Sequence, residues 1–191
     1  MPVFKLKTLN PGYTLIEFLV VIGILIFAVG SSLLFLTSVL RGSNQSSITA
    51  EVKQNGQAVL DSLDSQIRDG KDAISVTPAG AASAVRITLS NGNYLFLACY
   101  NANGTTSNGW IGSIVQSSSA TPNAGYVALT NTDIIAGVNI SNCSFSVQPA
   151  TTLDPAIVTV SFVANQGVGA PSRQDYSGSA AFRTIISLRK Y

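Results

Sequence analysis

Few residues in this chain could do chemistry, and they are scattered along it. Glu17 is a carboxylate at the mouth of an apolar run, where a lone charge is costly unless a partner meets it. Gly12 stands five residues before it. Cys99 and Cys143 are the two cysteines. Two thiols cannot make a zinc site alone, but they can make one disulfide outside a reducing compartment. The chain has no histidine, which removes the commonest general base and metal ligand. Asp133, Asp154 and Asp175 lie apart in turn-like sequence and read as solvated turn residues, because a calcium loop needs closely spaced carboxylates. GVGAPS at 167–172 lacks the third Gly and the strand-to-helix switch of a phosphate-binding loop. Trp110 reads as a packing residue, with an exposed ligand contact as the alternative. No cofactor, no metal site and no catalytic residue is expected.

The charges point the same way. Of 191 residues only 10% are charged and 46% are hydrophobic. Much of the apolar excess falls in residues 13–40, and the rest is rich in Ser, Thr, Asn, Gly and Ala. The formal net charge is +2, from 11 basic and 9 acidic residues. Lys5 and Lys7 precede Gly12, so the chain after Gly12 carries 11 − 2 = 9 bases against 9 acids, a net of zero. No basic patch with interleaved aromatics remains, and nucleic acid is not an expected partner.

The element that must position Glu17 is the run from Phe18 through Leu40, which carries no charge. It exceeds the roughly 20 residues a helix needs to cross a bilayer core. Gly23 and Gly30 inside it are tolerated in membrane helices. Lys5 and Lys7 ahead of it favour a cytoplasmic amino terminus and an outward-facing remainder. An ordinary secretory signal fits poorly, because the run is long and Arg41-Gly42-Ser43 is not a small-x-small cleavage site. A plain signal anchor explains the run but neither Gly12 nor Glu17.

The stretch PGYTLIEFLVVIGIL resembles the class III signal of type IV pilins and the related pseudopilins. In that family a short basic leader ends in Gly, and a dedicated prepilin peptidase cuts after it and methylates the new terminal amine. The resemblance implies cleavage between Gly12 and Tyr13, N-methylation of Tyr13, and an assembly role for Glu17. The released amine has a reference pKa of about 8 and would be a cation in apolar surroundings. Glu17 of a neighbouring subunit would be its partner, setting register between helices. The sequence departs from the pattern at three places: Tyr13 stands where Phe is usual, Pro11 precedes the Gly, and Leu33-Leu34 occupies the region where major pilins carry a Pro. The last departure favours a minor subunit.

Beyond Leu40, Ile48, Val52, Val59, Leu60, Leu63 and Ile67 recur at helical spacing and predict one apolar face. Asp64 and Arg68 form an acid-to-base pair at i, i+4, and Gly70 is a plausible stop. Arg41-Gly42-Ser43 and Gly56 are places where the helix could loosen. Past residue 71 the period becomes two. A hairpin is expected from strands 84–89 and 94–100 around Asn91-Gly92. Further strands are expected in NGWIGSIVQ, YVALT, NISNCSFSVQP, AIVTVSFVA and AAFRTIISLRKY, with a loop at 117–125. Cys143 shares a face with Phe145 and Val147, and Cys99 with Leu95 and Leu97. A disulfide between strands is the leading reading, and two buried thiols the alternative.

The expected fold class is α+β, type IV pilin-like: a long N-terminal amphipathic and transmembrane helix packed on a mostly antiparallel sheet of five to seven strands. The expected divisions are a leader at 1–12, a membrane and assembly helix at 13–40, an amphipathic half-helix at 41–70 and a globular β domain at 71–191. VLDSLDSQIRD and FRTIISLR are similar to short stretches of J-type pseudopilins. The resemblance implies a minor subunit of a type IV pilus-like filament. A pseudopilin of a type II secretion or DNA-uptake system, or a filament-tip binding subunit, are the alternatives. Implied partners are the prepilin peptidase, other pilin or pseudopilin subunits, an inner-membrane platform protein and a cytoplasmic assembly ATPase. The expected location is a single pass through the inner membrane with an extracytoplasmic C-terminal domain, then the filament.

Overall fold

The computed structural model describes residues 12, 14–173 and 176–189. One helix, α1 (Leu15–Arg68), is followed by eight strands: β1 (Gly70–Val76), β2 (Ser83–Leu89), β3 (Tyr94–Tyr100), β4 (Trp110–Gln116), β5 (Val127–Ala128), β6 (Val138–Gln148), β7 (Ile157–Gln166) and β8 (Ser179–Ser187). This is the expected α+β arrangement. The chain divides into two compact units, residues up to Gly42 and residues from Ser43 onward, and α1 contributes to both.

In the second unit α1 buries Val52, Gly56, Val59, Leu63 and Ile67, one stripe at spacings of three and four. Ile48 and Leu60 are half-buried against the same core. Gly56 is not a loose point. It is helical, and a Cβ there would run into the Phe182 ring. Asp64 and Arg68 pair at 2.6 Å on the exposed side, where solvent screening leaves such a pair little effect on stability.

The strands form two antiparallel sheets rather than one. The first runs β1-β2-β3-β4-β5 and the second β6-β7-β8. In β3, Leu95, Leu97 and Cys99 face the main core, while Phe96 and Ala98 are equally buried on the other side. There the 119–126 segment covers them: Arg86, paired with Phe96 in the ladder, donates to the Ser119 carbonyl at 2.8 Å. Tyr126 lies over Gly112, the ladder partner of Ala98. That two-sided burial is why LFLAC reads as a continuous apolar run instead of an alternation. Gly92 sits at φ +86° in the β2–β3 turn, the backbone conformation for which an Asn-Gly turn selects Gly.

β6 holds the one register irregularity of the second sheet. Ser141 pairs with Val163 but Ser144 with Ser161, so three steps on β6 match two on β7. Asn142 takes up the extra residue at φ +50°, a bulge. Before it Val138 and Ile140 point inward; after it Phe145 does, with Cys143 and Val147 half-buried on that face. Without the bulge the period of two would turn Cys143 to solvent.

Gly70 just past α1 does not act through a left-handed conformation. A Cβ there would meet the side chains of Ile87 and Leu188, and its carbonyl accepts the Arg189 N–H at 3.1 Å. Gly70→Ala is therefore expected to destabilise the domain by about 1–3 kcal/mol through overpacking. A denaturation midpoint equal to wild type would refute that.

Candidate functional site

Thr14 precedes α1 and caps it. The Glu17 N–H donates to Thr14 Oγ1 at 3.3 Å, and the Phe18 N–H donates to the Thr14 carbonyl at 3.2 Å. Thr14-x-x-Glu17 is the spacing of a capping box, a signal legible in the sequence that accounts for Thr14 independently of any family resemblance. Glu17 lies in the first helical turn, where the helix dipole favours a negative charge. Its side chain is exposed and makes no ion pair among the described residues. Gly12 is exposed, with nothing near its Cα that a side chain would meet. Tyr13, Lys5 and Lys7 lie outside the described residues.

From Leu15 to Leu40 the helix shows its apolar side chains on every face. Leu15, Phe27 and Leu34 are 83%, 80% and 75% exposed. The helix is long and apolar enough to cross a membrane, and none of its most apolar 18-residue window is buried. Three of the four hydroxyls inside this stretch, those of Ser31, Ser32 and Thr37, are satisfied locally. Ser31 and Ser32 donate to the Ala28 carbonyl at 3.0 and 2.8 Å, and Thr37 to the Leu34 carbonyl at 2.9 Å. In an apolar surround these three would keep a partner.

In the second unit Cys99 and Cys143 are joined by a disulfide, with Cα atoms 5.8 Å apart. Cys99 is fully buried. The bond ties β3 of the first sheet to the bulged β6 of the second. Ser83 reinforces the same point: it pairs with Cys99 in the ladder, and its Oγ accepts the Phe145 N–H at 2.9 Å.

Trp110 stacks on Tyr100 with ring centroids 4.3 Å apart, and Tyr126 meets Tyr100 edge-on at 5.7 Å. Trp110 also lies over Gly112, so it packs within the domain's own surface. Burial, and secondarily Tyr100, pushes the Tyr126 hydroxyl up to about 12. Tyr126 is then stabilising below its ordinary value of 10.0, and that contribution fades as pH rises from there towards about 12. Phenolate absorbance is expected to show one tyrosine ionising last in the folded protein and with the others once denatured; coincident titration in the folded state would refute this.

The aspartates expected in turns take turn roles where they are described. Asp133 Oδ1 accepts the Ile135 and Ala136 N–H groups, both at 2.8 Å, which hold its carboxyl below the usual range. Asp154 closes a turn with Thr151, its N–H donating to Thr151 Oγ1 at 2.9 Å. Asp175 lies outside the described residues. Asn108, which the sequence reading passed over, is 1% exposed. Its Nδ2 donates to the Asp133 carbonyl at 2.7 Å and its Oδ1 accepts the Val168 N–H at 2.8 Å. It therefore joins two loops that no local pattern connects. Among the described residues, no three of His, Cys, Asp and Glu cluster to hold a metal. Among the described residues, a hollow beside Asn55, Thr130 and Ile140 is about 60 Å³ and one beside Gln66, Leu89 and Val115 about 170 Å³, both below the usual size of a small-molecule pocket.

No family model, curated protein or solved structure matches this chain.

Proposed function

We propose that this chain is a minor subunit of a type IV pilus-like filament. It is held in the inner membrane by the first half of α1 before assembly, with the β domain on the extracytoplasmic side. A prepilin peptidase cuts after Gly12 and methylates the Tyr13 amine. A platform protein and a cytoplasmic ATPase then move the subunit into a bundle of parallel helices.

The observation that carries this reading is the combination at the start of α1. A carboxylate that is exposed and makes no ion pair among the described residues, Glu17, sits in the first turn of a helix whose next 23 positions (18–40) are uncharged, five residues after Gly12. In lipid that charge is expensive unless something meets it, and cleavage after Gly12 creates a cation close by in sequence. The chain's own amine or a neighbour's could neutralise it, but only pairing between subunits makes the position a register mark for assembly.

The intact mass of the mature protein tests the processing step. Loss of residues 1–12 and gain of one methyl group are expected. A mature chain that keeps residues 1–12 overturns the proposal.

A further inference from the structure

Four Asn-Gly pairs occur in the chain: Asn55-Gly56, Asn91-Gly92, Asn103-Gly104 and Asn108-Gly109. Such pairs are chemically labile. The backbone nitrogen of the glycine can attack the asparagine side-chain carbonyl, and the missing Cβ leaves that approach unhindered. The attack needs a free glycine N–H, a free side-chain amide and a backbone able to turn. Hydrogen bonds to either group, or burial, hold the reactants apart.

The structure sorts the four. Asn55-Gly56 is inside α1, where backbone N–H groups serve the helical ladder, and Gly56 is packed against Phe182. Asn108 is 1% exposed, with both ends of its amide bonded, and the Gly109 N–H donates to Asn139 Oδ1 at 2.8 Å. Asn91 is exposed, but its Oδ1 accepts the Asn93 N–H at 2.9 Å, and the Gly92 N–H donates to the Leu89 carbonyl at 3.2 Å. Asn103 differs from all of these. Its backbone is anchored, the N–H donating to the Ser107 carbonyl at 3.1 Å and the carbonyl accepting the Thr106 N–H at 3.0 Å and Oγ1 at 2.7 Å. Its side-chain amide and the Gly104 N–H make no hydrogen bond among the described residues. Both residues are exposed, and Gly104 sits at φ +55°.

We infer that Asn103 is a site of spontaneous deamidation through a succinimide with Gly104, and that folding orders the four pairs: Asn103 first, Asn91 more slowly, Asn55 and Asn108 held intact. The Gly104 nitrogen gives up its proton and bonds to Asn103 Cγ. The Cγ–Nδ2 bond breaks, and ammonia leaves carrying that proton. Water then opens either carbonyl of the ring, giving aspartate or isoaspartate. One water is consumed and one ammonia released, with no oxidation. Each conversion lowers the formal charge of +2 by one, and the isoaspartate product lengthens the main chain in the β3–β4 connection.

The test is peptide mapping of the full chain, folded in detergent and incubated at mildly alkaline pH. The peptide containing Asn103 is expected to gain one mass unit first and to split into aspartate and isoaspartate forms. The Asn91 peptide follows more slowly, and those of Asn55 and Asn108 stay unchanged. In the denatured chain the four are expected to convert at similar rates. Asn103→Gln removes the first conversion and leaves the slower one. Conversion of Asn91 or Asn108 ahead of Asn103, no conversion at all, or the same order in the denatured chain would each overturn the assignment.

Discussion

Glu17→Ala is expected to leave the protein cut after Gly12 and inserted in the membrane, yet absent from sheared filaments. In the proposed processing the cut falls five residues before Glu17, and the apolar run, long enough to cross a membrane, is untouched. Under the proposed function, what the substitution removes is the carboxylate that would meet a neighbour's Tyr13 amine. With no partner, that cation would stand in an apolar bundle at a cost of several kcal/mol. Ten-fold in an equilibrium is about 1.4 kcal/mol, so incorporation should drop by two orders of magnitude or more. Glu17→Asp keeps the charge but shortens its reach, and should fall in between. Wild-type levels of the Glu17→Ala subunit in filaments would refute the pairing while leaving the cleavage prediction standing. The Thr14 cap sharpens this, because its bond to the Glu17 N–H needs no carboxylate. The helix start should survive the substitution, and an assembly defect should not trace to fraying.

The double variant Cys99→Ala/Cys143→Ala is expected to lose on the order of 4 kcal/mol, given a sequence separation of 44 and the chain-entropy account of a cross-link. Against the roughly 5–15 kcal/mol of a typical domain, that is a large fraction. The position makes the loss more than entropic. Cys99 lies on the central strand of one sheet and Cys143 at the bulge of the other, so the bond fastens two layers that share no backbone ladder. Replacing both residues avoids leaving a lone thiol in the core. Denaturant titrations of the oxidised wild type and the double variant should show a clearly lower midpoint for the variant. Matching midpoints would mean that packing alone joins the sheets.

Much of this is legible in the sequence. The uncharged run, Glu17 and Gly12 are local facts of composition and spacing. The apolar stripe of α1 obeys the helical period, and the inward faces of β7 and β8, carrying Val158, Val160, Phe162 and Ile186, obey the period of two. The Asn91-Gly92 turn follows from the conformational freedom of a single Gly. In each case the signal and the structure it produces lie within a few residues.

Other features escaped the pattern because they are made between distant segments. β1 was not expected: its buried positions, Gly70 and Ala73, are three apart, and a register shift between Gly70 and Asp72 hides the alternation. The division into two sheets turns on which strand edges meet, which periodicity does not encode. Two glycines read as loose or terminating, Gly56 and Gly70, are instead contact points for Phe182, Ile87 and Leu188.

The sequence by itself determined that this chain has one long apolar helix with a carboxylate at its start, a strand-rich remainder and a single possible disulfide. Only the tertiary structure decided that Cys99 and Cys143 meet. The alternation along β6 would have failed to bring them together but for one extra residue at Asn142, whose effect on facing can be read only against the partner strand β7.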